Sequence, residues 1–339
     1  MPAIKSAAEL INDKWIIFNS LIAVVIRGCY DWCYWRTQKV KWMNQKMRTA
    51  VIMLMASVSM LLTGCVSTQS DSDQQASIRV APISPDYKLE ITLAKLNEIL
   101  ASVELTPEQR ARFHYDRGVI YDRVGLRILS RIDFHQALKL QPNLADAYNF
   151  LGIYYTQESE FESAYEAFDA VLELSPEYDY AYLNRGISLY YGERMELAVS
   201  DMTAFYDREP SDGYRVLWLY LAEREVDEQA ALLQLTENRK NLQANAWSTA
   251  LVDFYLGQKS KEEVFNLAKE GLKHPDEYAE RLCEAYFYMA KIAQKRGDNV
   301  QAANYFRLAL ATNIYDFVEH RYARLELART NEALRLATN

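Results

Sequence analysis

One spacing recurs through the middle of this chain and limits what it can fold into. Three glycines and three prolines each recur at intervals of 34 residues, at Gly118, Gly152, Gly186, Pro142, Pro176 and Pro210. A fixed period of this length indicates a repeat protein, in which each unit buries its apolar face against the next unit. The sequence therefore predicts an array of stacked units.

Within each period the pattern is that of the tetratricopeptide repeat (TPR), a hairpin of two antiparallel helices. The best unit carries the signature at Tyr148, Leu151, Gly152, Tyr155, Ala164, Phe168, Val171 and Pro176. Glycine and alanine in this signature let the two helices approach closely, and the proline ends the second helix. We predict an all-α TPR helical-hairpin solenoid with a capping C-terminal helix.

The same register divides most of the chain into segments. Residues 213–282 keep helical spacing without the template glycines and prolines, which indicates degenerate TPR-like hairpins. The other predicted segments are an N-terminal helix region at 86–110, TPR 1 at 111–144, TPR 2 at 145–178, TPR 3 at 179–212, a C-terminal TPR at 283–315, and a capping helix and tail at 316–339.

The N-terminal region has the form of a bacterial lipoprotein signal. Residues 50–62 are uncharged, follow Lys46 and Arg48, and run into the sequence LTGC, which resembles a lipobox ending at Cys65. An apolar run this short does not span a bilayer core of about 30 Å, but it has the length of a signal-peptide core. We therefore predict a signal peptide at 43–64. The alternative is a buried core helix.

Residues 1–42 do not fit such a signal. We expect them to be a non-native or removed upstream extension, with translation starting at Met43 or Met47. The alternative is a genuine extension that touches the membrane. Cys65 is the expected lipidation site, carrying diacylglycerol and an N-acyl chain, and two or three acyl chains anchor a protein stably to a bilayer.

Charge and composition narrow the function further. Residues 65–85 are rich in Ser, Asp, Gln and Pro, which predicts a flexible tether. The net charge is −8 for the whole chain and −13 after removal of residues 1–64, which argues against nucleic-acid binding. Cys283 would then be the sole free thiol. It lies beside Glu284, so we expect it to be unreactive.

No residue pattern indicates catalysis. The four histidines, His114, His135, His274 and His320, lie far apart without a metal-binding spacing. The sequence has no nucleophile elbow and no glycine-rich phosphate loop. We therefore predict a noncatalytic protein that carries no cofactor and no metal, apart from the covalent lipid.

Candidate partner-binding residues lie on the first helix of each repeat, which lines the concave surface in this class. Tyrosine and arginine are the residues that most often anchor protein interfaces. The predicted set is Arg112, Tyr115, Asp122, Arg123, Asn149, Ile153, Tyr180, Leu183, Ile187, Tyr190 and Tyr191. The alternative is that the tyrosines cover neighbouring helices.

From residue 65 to about 330, the sequence resembles the NlpI family of TPR-containing outer-membrane lipoproteins of Gram-negative bacteria. Besides the lipobox, the resemblance rests on three stretches: LGIYYTQESEFESAYEAFDAVLELSPEYDYAYLNRGISLYYGER (151–194), LWLYLAE (217–223) and DFVEHRYARLEL (316–327). Residues 1–42 have no counterpart in the family.

The resemblance implies a noncatalytic, homodimeric adaptor on the periplasmic side of the outer membrane. Members of the family dock the tail-specific protease Prc, deliver an NlpC/P60-type murein endopeptidase to it, and scaffold other peptidoglycan hydrolases. They thereby influence cell-wall turnover and cell division. Two alternatives stay open: an assembly factor for outer-membrane proteins, and a hydrolase whose site is assembled from distant residues, for instance within 213–273.

Overall fold

The described part of the chain is built from helices that follow one another in pairs. A computed structural model describes residues 82–102 and 104–337, which hold fourteen α-helices and no strand. In chain order these are α1 Tyr87–Ser102, α2 Pro107–Arg123, α3 Arg127–Leu140, α4 Ala145–Gln157, α5 Phe161–Leu174, α6 Asp179–Tyr191, α7 Met195–Arg208, α8 Gly213–Val226, α9 Glu228–Asn238, α10 Trp247–Tyr255, α11 Lys261–Leu267, α12 Glu277–Lys295, α13 Asn299–Leu310 and α14 Val318–Ala337.

Several predicted features lie outside the described residues. These are the upstream extension at 1–42, the signal peptide at 43–64, the lipidation site Cys65 and the tether as far as residue 81. Among the described helices, none combines the length and the apolar character needed to cross a bilayer.

Hairpins α2–α3, α4–α5 and α6–α7 repeat with the predicted period. Their second helices begin at Arg127, Phe161 and Met195, each 34 residues after the one before. The pairs α8–α9, α10–α11 and α12–α13 continue the series. The predicted fold class, an all-α TPR solenoid, is therefore confirmed.

Local sequence signals fix where individual helices begin. At α2, the Thr106 hydroxyl accepts a hydrogen bond from the Gln109 N–H at 3.2 Å, and the Thr106 N–H donates to the Gln109 side chain at 3.0 Å. Pro107 occupies the first helical position, where its missing N–H costs nothing. Helix α12 begins at Glu277, before the predicted TPR start at 283, because no helix-breaking residue follows Pro275.

Glycines at the hairpin seams bring the paired helices into contact. A Cβ atom built on Gly152 would lie 2.6 Å from a ring carbon of Phe168, so no larger residue fits against that buried ring. A Cβ on Gly118 would lie 2.9 Å from Phe134 in the same way. At Gly186 the facing residue is Met202, at 3.0 Å. These close contacts explain why glycine recurs every 34 residues.

Helix α14 packs on α12 and α13, as expected of a cap, and also reaches the preceding repeats. The Tyr322 ring stacks on Tyr191 of α6 with centroids 5.4 Å apart, and lies 6.2 Å from Trp218 of α8. Arg321 donates a hydrogen bond to Asp122 of α2 at 2.6 Å. The last helix therefore runs across the first helices of several hairpins.

The glycine contacts predict a difference between two substitutions of the same type. Gly152→Ala pushes a methyl group into the Phe168 ring, and we expect it to lower the free energy of unfolding by about 1–3 kcal/mol. Gly186→Ala meets the flexible Met202 side chain, so the gain in helix propensity, about 1 kcal/mol, offsets most of the strain. Urea unfolding of both variants measures the difference. Equal stability of the two would contradict this account of the seam.

Candidate partner-binding surface

We call the surface formed by the first helices α2, α4, α6, α8 and α12 the inner face. All eleven predicted partner-binding residues lie on the first three of these helices. The structure divides them into buried positions, positions covered by α14, and positions that are accessible. Only the accessible ones are free to contact a partner in this conformation.

Four of the predicted residues point into the repeats. Ile153 packs with Ala164 and Phe168 at a hairpin seam, and Leu183 and Ile187 belong to the main core. These three were expected to line an open groove, and that expectation is corrected by their burial.

The fourth of these residues is Asn149. It is also buried, and its side-chain oxygen accepts a hydrogen bond from Asn184 at 3.0 Å. It connects α4 to α6 and does not face solvent.

Three more of the predicted residues are covered by the C-terminal part of the chain. Asp122 accepts hydrogen bonds from Arg321 and from Tyr154, the latter at 2.7 Å. The Tyr191 hydroxyl donates to Glu326 at 2.9 Å, and Tyr190 is likewise buried. An open groove was expected at Asp122, Tyr190 and Tyr191, but contacts with α12 and α14 bury these three side chains.

A buried ion pair holds α14 in this position. Lys291 of α12 bonds Glu326 of α14, and their side chains are only 5% and 3% exposed. Gln294 also donates to Glu326, at 2.9 Å. Burial alone would raise the pKa of Glu326, but the Lys291 ammonium and these hydrogen bonds lower it. Replacing either residue alone would leave the other charge buried without its partner, which typically costs about 3–5 kcal/mol.

A second buried polar group lies where α14 begins. Glu284 of α12 accepts hydrogen bonds from the Tyr214 hydroxyl at 2.9 Å and from the Trp247 indole. The Tyr288 hydroxyl donates to Glu319 at 2.8 Å. Burial, followed by the charge of Glu319, raises the pKa of Glu284 to about 8. Glu284 is therefore mostly protonated at neutral pH.

The accessible part of the inner face is a group of aromatic residues that we call the tyrosine cluster, formed by Tyr115, Tyr178 and Tyr180. Arg112 is 65% exposed, and its guanidinium carbon lies 5.4 Å from the centroid of the Tyr115 ring. Tyr180 is 58% exposed. Tyrosine beside arginine is a typical composition for the centre of a protein interface.

The Tyr178 hydroxyl interacts electrostatically with both other phenols of the cluster. The pKa of Tyr178 is raised by burial, by its hydrogen bond to Asp146 at 2.8 Å, and by the influence of Tyr115 and Tyr180. Burial and the Asp146 charge raise the pKa of Tyr115 to about 12. Sequence reasoning missed Tyr178, because it precedes α6 and stands at none of the signature positions.

Arg123 is exposed, but it stands apart from the tyrosine cluster. It ends helix α2, eleven residues after Arg112, which is about 16 Å along the helix axis. A partner that contacts both arginines would therefore have to follow the length of α2.

Two of the four histidines bond other residues of the fold, and Cys283 is buried. The His114 ring bonds Asp133 at 2.8 Å, and His320 bonds the Leu310 carbonyl at 3.1 Å. Cys283 is buried, and burial raises the pKa of its thiol, so it stays protonated. Within the residues that the structure describes, no group of His, Cys, Asp and Glu could hold a metal ion.

The protein is thus a TPR solenoid, a class of scaffold whose stacked hairpins present an extended surface to other proteins. No family model matches the chain. Among solved structures, it is similar to PilF of Pseudomonas aeruginosa, at 20% identity over 65% of this chain and 99% of that chain, with a TM-score of 0.40.

Two further solved structures show a similar degree of likeness. A TPR protein from Parabacteroides merdae has 15% identity, covers 75% of this chain and 79% of its own, and has a TM-score of 0.40. PilW, described as a widely conserved type IV pilus biogenesis factor, is 18% identical over 69% of this chain and 90% of its own length, with a TM-score of 0.36. Similarity at this level says nothing about function.

The protonated Glu284 predicts a specific pH dependence of stability. In the unfolded chain this carboxyl ionises near 4.5, whereas in the folded protein it ionises near 8. Its contribution to the free energy of unfolding is therefore complete below pH 4.5 and is lost as the pH rises towards 8.

Thermal unfolding measured across that range tests this prediction. Glu284→Gln mimics the protonated carboxyl, so we expect it to remove this part of the loss of Tm between pH 4.5 and 8. Glu173→Gln, at an exposed position, is the control and should keep the wild-type profile. Identical profiles for Glu284→Gln and the wild type would show that Glu284 is already ionised.

Proposed function

We propose that this protein is a noncatalytic, lipid-anchored adaptor that holds other proteins against its repeat surface. The observation that carries the proposal is the tyrosine cluster with Arg112, because it leaves aromatic rings and the Arg112 guanidinium, which is ion-paired with Asp116, accessible on the inner face. Within the described residues, His114 and His320 are held by hydrogen bonds in the fold, and the buried thiol stays protonated. Both observations support a binding role over a catalytic one.

The resemblance to the NlpI family suggests the partners and the place. On that basis we propose an anchor in the outer membrane through Cys65, with the repeats facing the periplasm. The partners would be the tail-specific protease Prc, an NlpC/P60-type murein endopeptidase and other peptidoglycan hydrolases. Holding protease and substrate on one scaffold makes their encounter effectively intramolecular. Regulated proteolysis of cell-wall enzymes would link the protein to cell-wall turnover and cell division.

A homodimer belongs to the same proposal. Helix α3 exposes Ile128, Leu129 and Ile132, which are 78%, 43% and 51% accessible, and Leu126 precedes them at 45%. Contiguous exposed apolar side chains of this kind typically mark an interface between proteins. A second copy of the chain covering α3 would bring two inner faces into one assembly.

The binding surface is tested by reversing charge at its accessible arginines. We expect Arg112→Glu to weaken binding of Prc or the endopeptidase about tenfold, a loss of about 1.4 kcal/mol, because it removes a cation beside Tyr115. Arg123→Glu should weaken binding as well, and neither change should unfold the protein. Calorimetric titration gives the affinities and circular dichroism the folding. Arg296→Glu, at an exposed position that follows α12, is the control, and unchanged affinity for Arg112→Glu would refute this surface.

The lipid anchor has an independent test. We expect Cys65→Ser to abolish incorporation of labelled palmitate and to move the protein from the membrane fraction to the soluble fraction, since Ser offers no thiol for the thioether. Cys283→Ala should keep both label and location, because that thiol is buried. Continued labelling of Cys65→Ser would place the modification elsewhere in the chain.

A further inference from the structure

A cavity of about 410 Å³ lies beside α14 on the inner face, lined by residues of α6, α8, α12 and α14. It is separate from the tyrosine cluster, whose residues do not line it. Arg224 of α8 and Lys291 of α12 line its wall, and their side chains are only 4% and 5% exposed. Two basic side chains buried to this degree at one cavity are unusual, because desolvation penalises each charge.

Arg224 has hydrogen-bond donors that the protein does not use. A guanidinium carries five N–H donors in a fixed planar fork. Its Nε donates to Glu225 at 3.1 Å, whereas Nη1 and Nη2 make no hydrogen bond to any residue in the described parts of the chain. Neither nitrogen is fully enclosed by protein, so both donors can reach a ligand that enters the cavity.

Lys291 also has a hydrogen-bond donor without a partner in the described chain. Two of its three N–H donors go to the Tyr190 hydroxyl at 3.0 Å and to Glu326. Its remaining donor is not used by any described residue. Burial lowers the pKa of Lys291 and the Arg224 charge lowers it further, but the negative charge of Glu326 and the neighbouring Tyr190 outweigh both and leave that pKa raised.

The positive and negative charges that line the cavity are unequal in number. The most deeply buried charged groups are two cations, Arg224 and Lys291, and one anion, Glu326. Glu326 already forms an ion pair with Lys291. The Glu225 side chain is 29% exposed and forms ion pairs with both Arg224 and Lys295, the latter with 3.7 Å between Nζ and Oε2. The charged residues that line the cavity are four basic and three acidic, so the lining carries a net positive charge, and Arg224 offers donors in the planar geometry that matches a carboxylate.

We propose that this cavity binds a carboxylate group of a partner polypeptide, with the Nη1 and Nη2 donors of Arg224 forming a bidentate pair with it. Lys291 supplies a third donor from the neighbouring helix. The carboxylate belongs either to a chain terminus or to an Asp or Glu side chain. This inference extends the proposed adaptor function by naming the chemistry of one partner segment, and its first test uses no partner protein.

The first test is a titration of the purified protein, labelled with ¹⁵N on arginine, with sodium acetate. Arg224→Lys assigns the Nε–H signal of Arg224 in the NMR spectrum. We expect that signal to shift with saturation, while sodium chloride at equal ionic strength leaves it in place and the exposed Arg296 does not respond. A shift that does not saturate, or an equal shift with chloride, would overturn the proposal.

Three capped tripeptides identify the source of the carboxylate. Acetyl-Gly-Leu-Leu has only a terminal carboxylate, acetyl-Gly-Glu-Leu-amide has only a side-chain carboxylate, and acetyl-Gly-Gln-Leu-amide has neither. Saturable binding of either of the first two, at least about tenfold tighter than the third, supports the site and names the source. Equal binding of all three would contradict it.

Stability measurements supply a readout that does not depend on the spectrum. We expect acetate to raise the Tm of the wild type above that in chloride, and to have no such effect on Arg224→Gln. Should Arg224→Gln fail to fold, Arg224→Lys keeps the charge and loses the planar fork, and its acetate affinity should fall at least about tenfold. Arg296→Gln should respond as the wild type does. Loss of the acetate effect without loss of Prc binding would separate this site from the adaptor function.

Discussion

Close contact of two helices at a glycine is the constraint on which the whole repeat architecture depends. Where Gly152 faces Phe168 and Gly118 faces Phe134, the ring occupies the space that any larger residue would need. The close contact recurs in the three hairpins that carry the glycine, and stacking of such hairpins places their first helices on one side. The 34-residue repeat therefore produces a continuous surface, the inner face, and the accessible residues on this surface determine what the protein can bind.

Helix α14 changes what that surface offers. A plain solenoid would leave its inner face open, whereas here Arg321 bonds Asp122 and Glu326 bonds Lys291. Apolar packing alone tolerates sliding of a helix along a groove. Two ion pairs on successive turns of α14, each with a partner on a different first helix, fix its position. The accessible surface is consequently limited to the tyrosine cluster and to the cavity beside α14.

The local features of this fold could be predicted from the sequence because local interactions specify them. The capping box at Thr106 and the seam at Gly152 are each encoded within a few residues or within one repeat. The course of α14 could not be predicted, since Asp122 and Arg321 are 199 residues apart and no periodic pattern connects them. For the same reason Tyr191 was predicted to be open, although its neighbours on α14 cover it.

The two accessible regions of the inner face differ in what they demand of a ligand. The tyrosine cluster is broad and partly exposed, so it suits a protein surface with many weak contacts. The cavity at Arg224 is small and charged, and its donors lack partners within the described chain. The Nη donors of Arg224 have no protein partner in the described chain and open onto the cavity, so a ligand can bond them without breaking a contact of the fold. Specificity for one terminus or acidic side chain then comes from the cavity, while contact area comes from the cluster.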